Sequence, residues 1–157
     1  MAFSLAAFIF VGCEPERSYS DIPEISNLTF KTLTDSAGVL TFDFTDGDGN
    51  IGLDTLNDTL PPYHIDGAFY NNLIIDYQEF ENGEWKGLEG VGLSQRIMPF
   101  APFGGVYEGQ MEVLLNAPTY YNPNTTNELL RYRITLYDRD LNASNTLTSE
   151  TIKKPTI

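Results

Sequence analysis

The stretch 129–137, LLRYRITLY, carries the clearest structural signal in the chain, because apolar and polar side chains alternate through it. Its apolar positions are Leu130, Tyr132, Ile134 and Leu136. A period of two residues is typical of a β-strand with one face buried and the other exposed to water. We therefore predict a strand over 129–137.

Similar alternation elsewhere predicts six further strands, over 25–30, 39–45, 73–80, 84–98, 107–115 and 146–153. The strand over 84–98 is expected to be broken near Gly87, Gly90 and Gly92. Asn82-Gly83 stands between two of them, and this dipeptide favours a type I′ hairpin turn, which needs positive φ at both central residues. No window shows sustained helical periodicity. We predict an all-β fold, an antiparallel seven-strand β-sandwich of the fibronectin III or immunoglobulin type. A small up-and-down β-barrel is the alternative.

Composition limits the class of function. The chain has 157 residues, 22 acidic and nine basic side chains, and a formal net charge of −13. Its basic residues form no cluster, so we expect no nucleic-acid partner, because phosphate binding needs grouped Lys or Arg side chains. The single histidine, His64, stands in no recognisable nucleophile motif, so we predict that the protein is not an enzyme.

The N-terminal stretch 3–13, FSLAAFIFVGC, ends in the only cysteine of the chain. Its apolar run of about ten residues is too short for a membrane span, which needs about 20. The stretch resembles a bacterial lipoprotein signal peptide, and the resemblance implies a covalent lipid on Cys13 that anchors the protein to a membrane. The predicted division is a signal peptide over 1–12, a lipidated tether over 13–22 and a β-sandwich domain over 23–157. A buried N-terminal strand with an incidental core cysteine is the alternative.

Two loops rich in carboxylates follow predicted strands: DGDGNIG at 46–52 and DRDLNASN at 138–145. Glycines let a backbone curl so that side-chain oxygens converge, which suits a hard cation such as Ca²⁺. Loops of a seven-strand sandwich alternate between its two poles, so both loops should reach the same pole. We predict a Ca²⁺ site there, formed by Asp46, Asp48, Asn50, Asp138 and Asp140. The pairing resembles the inter-loop calcium sites of cadherin-like domains, and a solvated acidic turn is the alternative.

Aromatic side chains lie on two further loops that the same alternation brings to this pole. Proline stiffens these loops, and exposed aromatic rings suit sugar stacking or protein docking. The candidate binding residues are Tyr63, Phe100, Phe103 and Tyr107. The alternative is that Phe100 and Phe103 fold back and cover the end of the sandwich.

Three features together look like small surface lipoproteins of the Bacteroidota type: the cysteine motif, the stretch 44–53 and the stretch 137–145. The resemblance implies a lipid-anchored protein of the outer membrane that faces the cell surface, although a periplasm-facing orientation is also open. We expect a non-catalytic accessory subunit docked on an outer-membrane transport or secretion complex. The alternative is a free-standing surface module that binds an extracellular glycan or protein.

Overall fold

The computed structural model describes residues 18–88, 92–100, 104–116 and 125–154. Over these ranges the chain forms strands and no helix, so it also contains no helix that could cross a membrane. The strands are β1 (Glu24–Thr34), β2 (Ala37–Asp46), β3 (Leu73–Glu81), β4 (Glu84–Gly87), β5 (Tyr107–Asn116), β6 (Leu129–Leu136), β7 (Leu147–Thr148) and β8 (Ile152–Lys153).

The strands build two antiparallel sheets. One has the order β1-β2-β5, and the other has the order β4-β3-β6-β7, with β8 also paired to β6. The described strands thus form an open sandwich, which confirms the predicted fold class and shows that the barrel alternative is wrong. Since β4 pairs with β3 and does not join the first sheet, the order differs from that of an immunoglobulin constant domain.

The core lies between the sheets and follows the alternation in the sequence. Leu40 and Phe42 of β2 and Tyr132 and Leu136 of β6 have no measurable exposure, whereas the residues between them are partly exposed. Burying each such large apolar side chain stabilises the fold by about 1.5–3 kcal/mol. A slip of one residue in either strand would turn these side chains outward, so the core fixes the register.

The predicted hairpin turn is confirmed. Asn82 has a φ of 53° and Gly83 a φ of 88°, the positive values that a type I′ turn requires. The turn sets the pairing of Glu81 with Glu84 and of Phe80 with Trp85. The dipeptide Asn82-Gly83 is therefore sufficient to predict the hairpin between β3 and β4.

The strand predicted over 84–98 is wrong in its extent, because β4 ends at Gly87, but the break predicted near Gly87 is confirmed. Glycine weakens a strand interior, and Gly87 and Gly92 both fall within the predicted range. Later in the chain Gln95 returns to β3 and exchanges two backbone hydrogen bonds with Leu73, of 2.8 and 3.0 Å. The segment thus touches β3 near both of its ends.

The predicted strand 146–153 is divided into β7 and β8 by a bulge at Ser149. The Ser149 N–H donates to the carbonyl of Tyr132 (2.8 Å), and the Tyr132 N–H donates to the Ser149 hydroxyl oxygen (3.0 Å). A side-chain oxygen therefore takes the place of a backbone carbonyl, and contact with β6 continues while the chain bulges. Ser144 makes the same pair of bonds to Leu136.

A buried carboxylate, Glu79, holds together the pole opposite the acidic loops. Glu79 is 2% exposed, and its Oε1 accepts hydrogen bonds from the Tyr77 hydroxyl and the Lys154 ammonium, both at 2.5 Å. Its Oε2 accepts from Thr125 at 2.6 Å and Asn127 at 2.9 Å. Burial raises the pKa of Glu79, but these hydrogen bonds, led by that of Lys154, outweigh it and hold the pKa below its usual value.

We predict that Glu79→Gln lowers the free energy of unfolding by about 3–5 kcal/mol, because it removes the buried carboxylate that pairs with the Lys154 ammonium at 2.5 Å. Chemical denaturation measures the loss. Glu81→Gln is the matched control: it removes an exposed ion pair with Lys86 and should change stability by less than about 1 kcal/mol.

The lowered pKa of Glu79 also predicts that its contribution to the free energy of unfolding depends on pH. A carboxyl whose folded-state pKa is lowered stabilises the fold above its unfolded pKa, near 4.5, and this stability is lost as pH falls through the folded-state value. The difference between the wild type and Glu79→Gln should therefore be large at about pH 7 and shrink at about pH 3. An equal difference at both pH values would contradict the assignment.

Candidate functional site

The two acidic loops meet at one pole of the sandwich. The first loop leaves β2 at Asp46 and the second leaves β6 after Leu136. Ile51 and Asp138 form an isolated antiparallel bridge between them, and the Asn50 side-chain amide donates to an Asp140 carboxylate oxygen at 3.2 Å. Loop alternation in a sandwich thus brings the two loops together as the sequence predicts.

Two glycines let neighbouring chain segments close over the first loop. Gly49 has a φ of 64°, and a Cβ at this position would stand 2.1 Å from the carbonyl oxygen of Gly105. A Cβ on Gly47 would stand 2.4 Å from the carbonyl oxygen of Tyr19, and the Gly47 N–H donates to the carbonyl of Ser20 at 2.8 Å. The loop is therefore covered on two sides by backbone that only glycine allows so close.

The first loop buries three oxygen atoms that receive no hydrogen bond. Asp46 has no measurable exposure, and its Oδ2 accepts hydrogen bonds from the N–H groups of Asn50 (2.9 Å) and Ile51 (3.3 Å). The Oδ1 atoms of Asp46, Asp48 and Asn50 are also buried, and none of them has a donor. A buried acceptor without a donor is unfavourable and rare in folded proteins, so a group of three in one tight loop indicates a ligand.

Electrostatics at this loop favour a positive ligand. Burial raises the pKa of the Asp46 carboxyl to about 6, against the partial offset of its two backbone hydrogen bonds, and the charges of Asp48 and Asp138 raise it further. Burial also raises the pKa of Asp48, and the charges of Asp138, Asp21 and Asp140 act in the same direction. A bound cation would compensate both effects, because it adds opposite charge where the carboxylates are poorly solvated.

The two carboxylates of the second loop, Asp138 and Asp140, are not equally available to bind a cation. Both carboxylate oxygens of Asp138 are engaged by Asn142, through its backbone N–H and its side-chain amide, each at 2.8 Å. Asp138 therefore shapes the turn and adds negative charge nearby. Asp140 is exposed and lies beside Asn50, so it is the residue of this loop that is placed to reach a shared ion.

These donors fit an oxygen-binding cation. Over the described ranges no three Asp, Glu, His or Cys side chains form a compact metal-ligating group. The donor set at this pole instead mixes the carboxylates of Asp46 and Asp48 with the amide oxygen of Asn50. Ca²⁺ takes such mixed oxygen sets, completed by backbone carbonyls and water.

Arg139 turns away from the acidic pole toward the loop between β2 and β3. Its two terminal guanidinium nitrogens donate to the two carboxylate oxygens of Asp58, at 2.9 and 2.5 Å. Its backbone carbonyl accepts a hydrogen bond from the hydroxyl of Tyr63. One residue of the second acidic loop therefore holds the long loop in place.

Arg96 organises the same loop from within. Its guanidinium donates to the backbone carbonyls of Tyr63 (3.1 Å), Tyr70 (2.7 Å), Asp54 (3.0 Å) and Asp58 (2.9 Å). The role of neither arginine was predicted from the sequence, because each depends on groups that come together only in the folded chain.

The predicted aromatic residues have different surroundings. The ring of Phe100 stacks on Phe44, with centroids 5.4 Å apart, and meets Tyr107 edge-on at 5.5 Å. The Tyr107 hydroxyl donates to the Phe100 carbonyl at 3.0 Å. Phe100 and Tyr107 thus cover the end of the core, Tyr63 alone lines a cavity, and Phe103 lies outside the described residues.

Cys13 also lies outside the described residues, so its lipidation stays a prediction. The chain can be followed from residue 18, and the bond from Gly47 to Ser20 joins the end of the predicted tether to the acidic pole. Comparison of the chain with protein-family models and with curated proteins finds no match.

We predict that Asp46→Asn stabilises the protein when chelator removes free cations. The change removes a buried negative charge beside Asp48 and Asp138 but leaves an oxygen to accept the backbone hydrogen bonds. The free energy of unfolding at neutral pH should rise by about 1–3 kcal/mol. Denaturant melts in excess chelator measure it.

Asp140→Asn is the control, because its exposed carboxylate should change stability by no more than about 0.5 kcal/mol. A marked loss of stability for Asp46→Asn in chelator would instead show that the Asp46 carboxylate stabilises the turn and that its burial does not destabilise the fold.

Proposed function

We propose that this protein is a non-catalytic binding module that uses Ca²⁺ to order one pole of its sandwich. The three buried oxygens without donors in Asp46, Asp48 and Asn50 carry the proposal. Asp140 supplies a further oxygen from the second loop. The ion would add positive charge between the two loops and hold them together.

The chemistry of the donors favours Ca²⁺ over other ions. Zinc prefers sulfur and nitrogen ligands, and the chain has one cysteine and one histidine. Magnesium demands a near-ideal octahedral arrangement and usually retains several waters. A loop of buried carboxylate and amide oxygens suits the larger and more tolerant calcium ion.

The proposal includes a lipid anchor on Cys13 at the surface of the outer membrane. The apolar stretch 3–13 supports it. Cys13 lies seven residues before Ser20, and seven residues span at most about 25 Å. Because Ser20 is bonded to Gly47, an anchor on Cys13 would keep the acidic pole near the membrane.

An accessory subunit of an outer-membrane transport or secretion complex is the second candidate. The outer face of the three-stranded sheet favours it, because Leu33 and Leu114 are about half exposed there around Val39. Exposed apolar patches are typical of protein interaction sites. This patch lies at the end of the sheet away from Asp46, so docking there would leave the acidic pole accessible.

Calcium should raise the melting temperature of the wild-type protein. An ion at a hundredfold excess over its Kd adds about 2.7 kcal/mol, which for a domain of this size corresponds to roughly 5–10 °C. Asp48→Asn should abolish the rise, whereas Asp76→Asn, which removes an exposed carboxylate on β3, should retain it. Absence of a calcium-dependent rise in the wild type would refute the cation site.

Lipidation and docking can be tested together on membrane-extracted protein. Intact mass should show a lipid on Cys13, and Cys13→Ser should release the protein from the membrane fraction. A stoichiometric partner that co-purifies with the wild type and is lost in Leu114→Asp would support the accessory subunit. Membrane protein without such a partner would support the free-standing module, and an unmodified N-terminal Met1 would refute the anchor.

A further inference from the structure

A cavity of about 280 Å³ opens beside the loop between β2 and β3. Its walls include Thr55, Thr59, Tyr63, His64, Tyr70 and Arg96. The volume suits one ring of a ligand, and the rest of a longer ligand would lie outside the cavity. None of the proposed cation ligands lines it, so it is a separate site.

The cavity is held open by contacts within the protein. Arg96 binds four backbone carbonyls of the loop, and its guanidinium lies over the ring of Tyr70, 4.9 Å from the centroid. Asp58 is engaged by Arg139. The Asp58 carboxylate and the terminal nitrogens of Arg96 are thus paired within the protein, and the buried Nε of Arg96 has no acceptor over the described residues. A neutral ligand that offers a hydroxyl oxygen therefore suits the cavity better than a charged one.

Neutral polar groups at the cavity remain uncommitted. Over the described ranges, the hydroxyls of the exposed Thr55 and Thr59 and of the half-buried Tyr70 have no hydrogen-bond partner in the protein and are open to water. The Nδ1 of His64 accepts a hydrogen bond from the backbone N–H of Asp66, and the Nε2 of His64 remains available to a ligand. Hydroxyls donate and accept, so these groups suit a ligand that carries hydroxyls itself.

We propose that this cavity binds one ring of a neutral glycan. A pyranose presents hydroxyls to Thr55, Thr59, His64 and the Tyr70 hydroxyl, and its apolar C–H face packs on a tyrosine ring of the cavity wall. An aliphatic side chain of a partner protein fits less well, because it would cover these polar groups without replacing their hydrogen bonds to water. A small concave site with apolar walls and a few polar groups is also the usual form of a ligand pocket.

The test uses methyl glycosides of glucose, galactose, mannose and N-acetylglucosamine as probes. Each is titrated into the full chain while backbone amide NMR signals are followed. At least one probe should shift the signals of Thr59, His64 and Tyr70 and leave Thr126, at the other pole, unchanged. The titration is run with and without Ca²⁺, and the calcium melting experiment tests the cation site independently.

Two variants locate the contact. Thr59→Val and Tyr70→Phe each remove one hydroxyl with little change of shape, and each should weaken binding about tenfold. Thr126→Val is the matched control and should bind as the wild type does. Amide spectra of each variant show whether the fold is retained.

Four results would overturn the proposal. One is that no methyl glycoside shifts the cavity signals, and another is that Thr59→Val and Tyr70→Phe bind as well as the control. A third is that glucuronate binds more tightly than glucose, which would identify an anion site. The last is that N-acetyl-leucine amide shifts the same signals more strongly, which would identify a site for a protein side chain.

Discussion

The packing of β2 and β6 into one core is the constraint on which the rest of the structure depends. These inner strands of the two sheets contribute Phe42 and Tyr132 to a single buried cluster, and the period of two fixes which residues face inward. Both strands run toward the same pole, so the loops that leave them must meet there. The proximity of the two acidic loops, near Asp46 and Asp138, is therefore a consequence of core packing and does not require attraction between the loops themselves.

Local alternation predicted most of the strands, because a strand with one buried face carries its orientation in its own sequence. The same reasoning failed where a side chain replaces the backbone in the sheet. The hydroxyl oxygen of Ser149 accepts a hydrogen bond from the Tyr132 N–H. The alternation of apolar and polar residues does not indicate where a side-chain oxygen replaces a backbone carbonyl in this way. In the range 84–98 the glycines indicated correctly that the strand breaks near Gly87. The alternation did not show that the chain then returns to β3 through a single bridge between Gln95 and Leu73.

The acidic loops could be found from sequence because their residue types are concentrated and their position follows from strand order. Which of the buried carboxylates lacks a hydrogen-bond donor could not be found in this way. Asp46 and Asp138 look alike in sequence, yet the first has an oxygen without a donor and the second is saturated by Asn142. The role of Arg96 was equally hidden, because it depends on four carbonyls that come together only in the folded chain.

The triplet Asp138-Arg139-Asp140 sends consecutive side chains to different places. Asp140 lies beside Asn50 of the acidic pole, while Arg139 is paired with Asp58 at the wall of the cavity. Three adjacent residues share one short backbone, so restraint of one neighbour restrains the next. If ligands occupy both proposed sites, this triplet would connect them, and thermodynamic reciprocity would make any coupling between them equal in both directions.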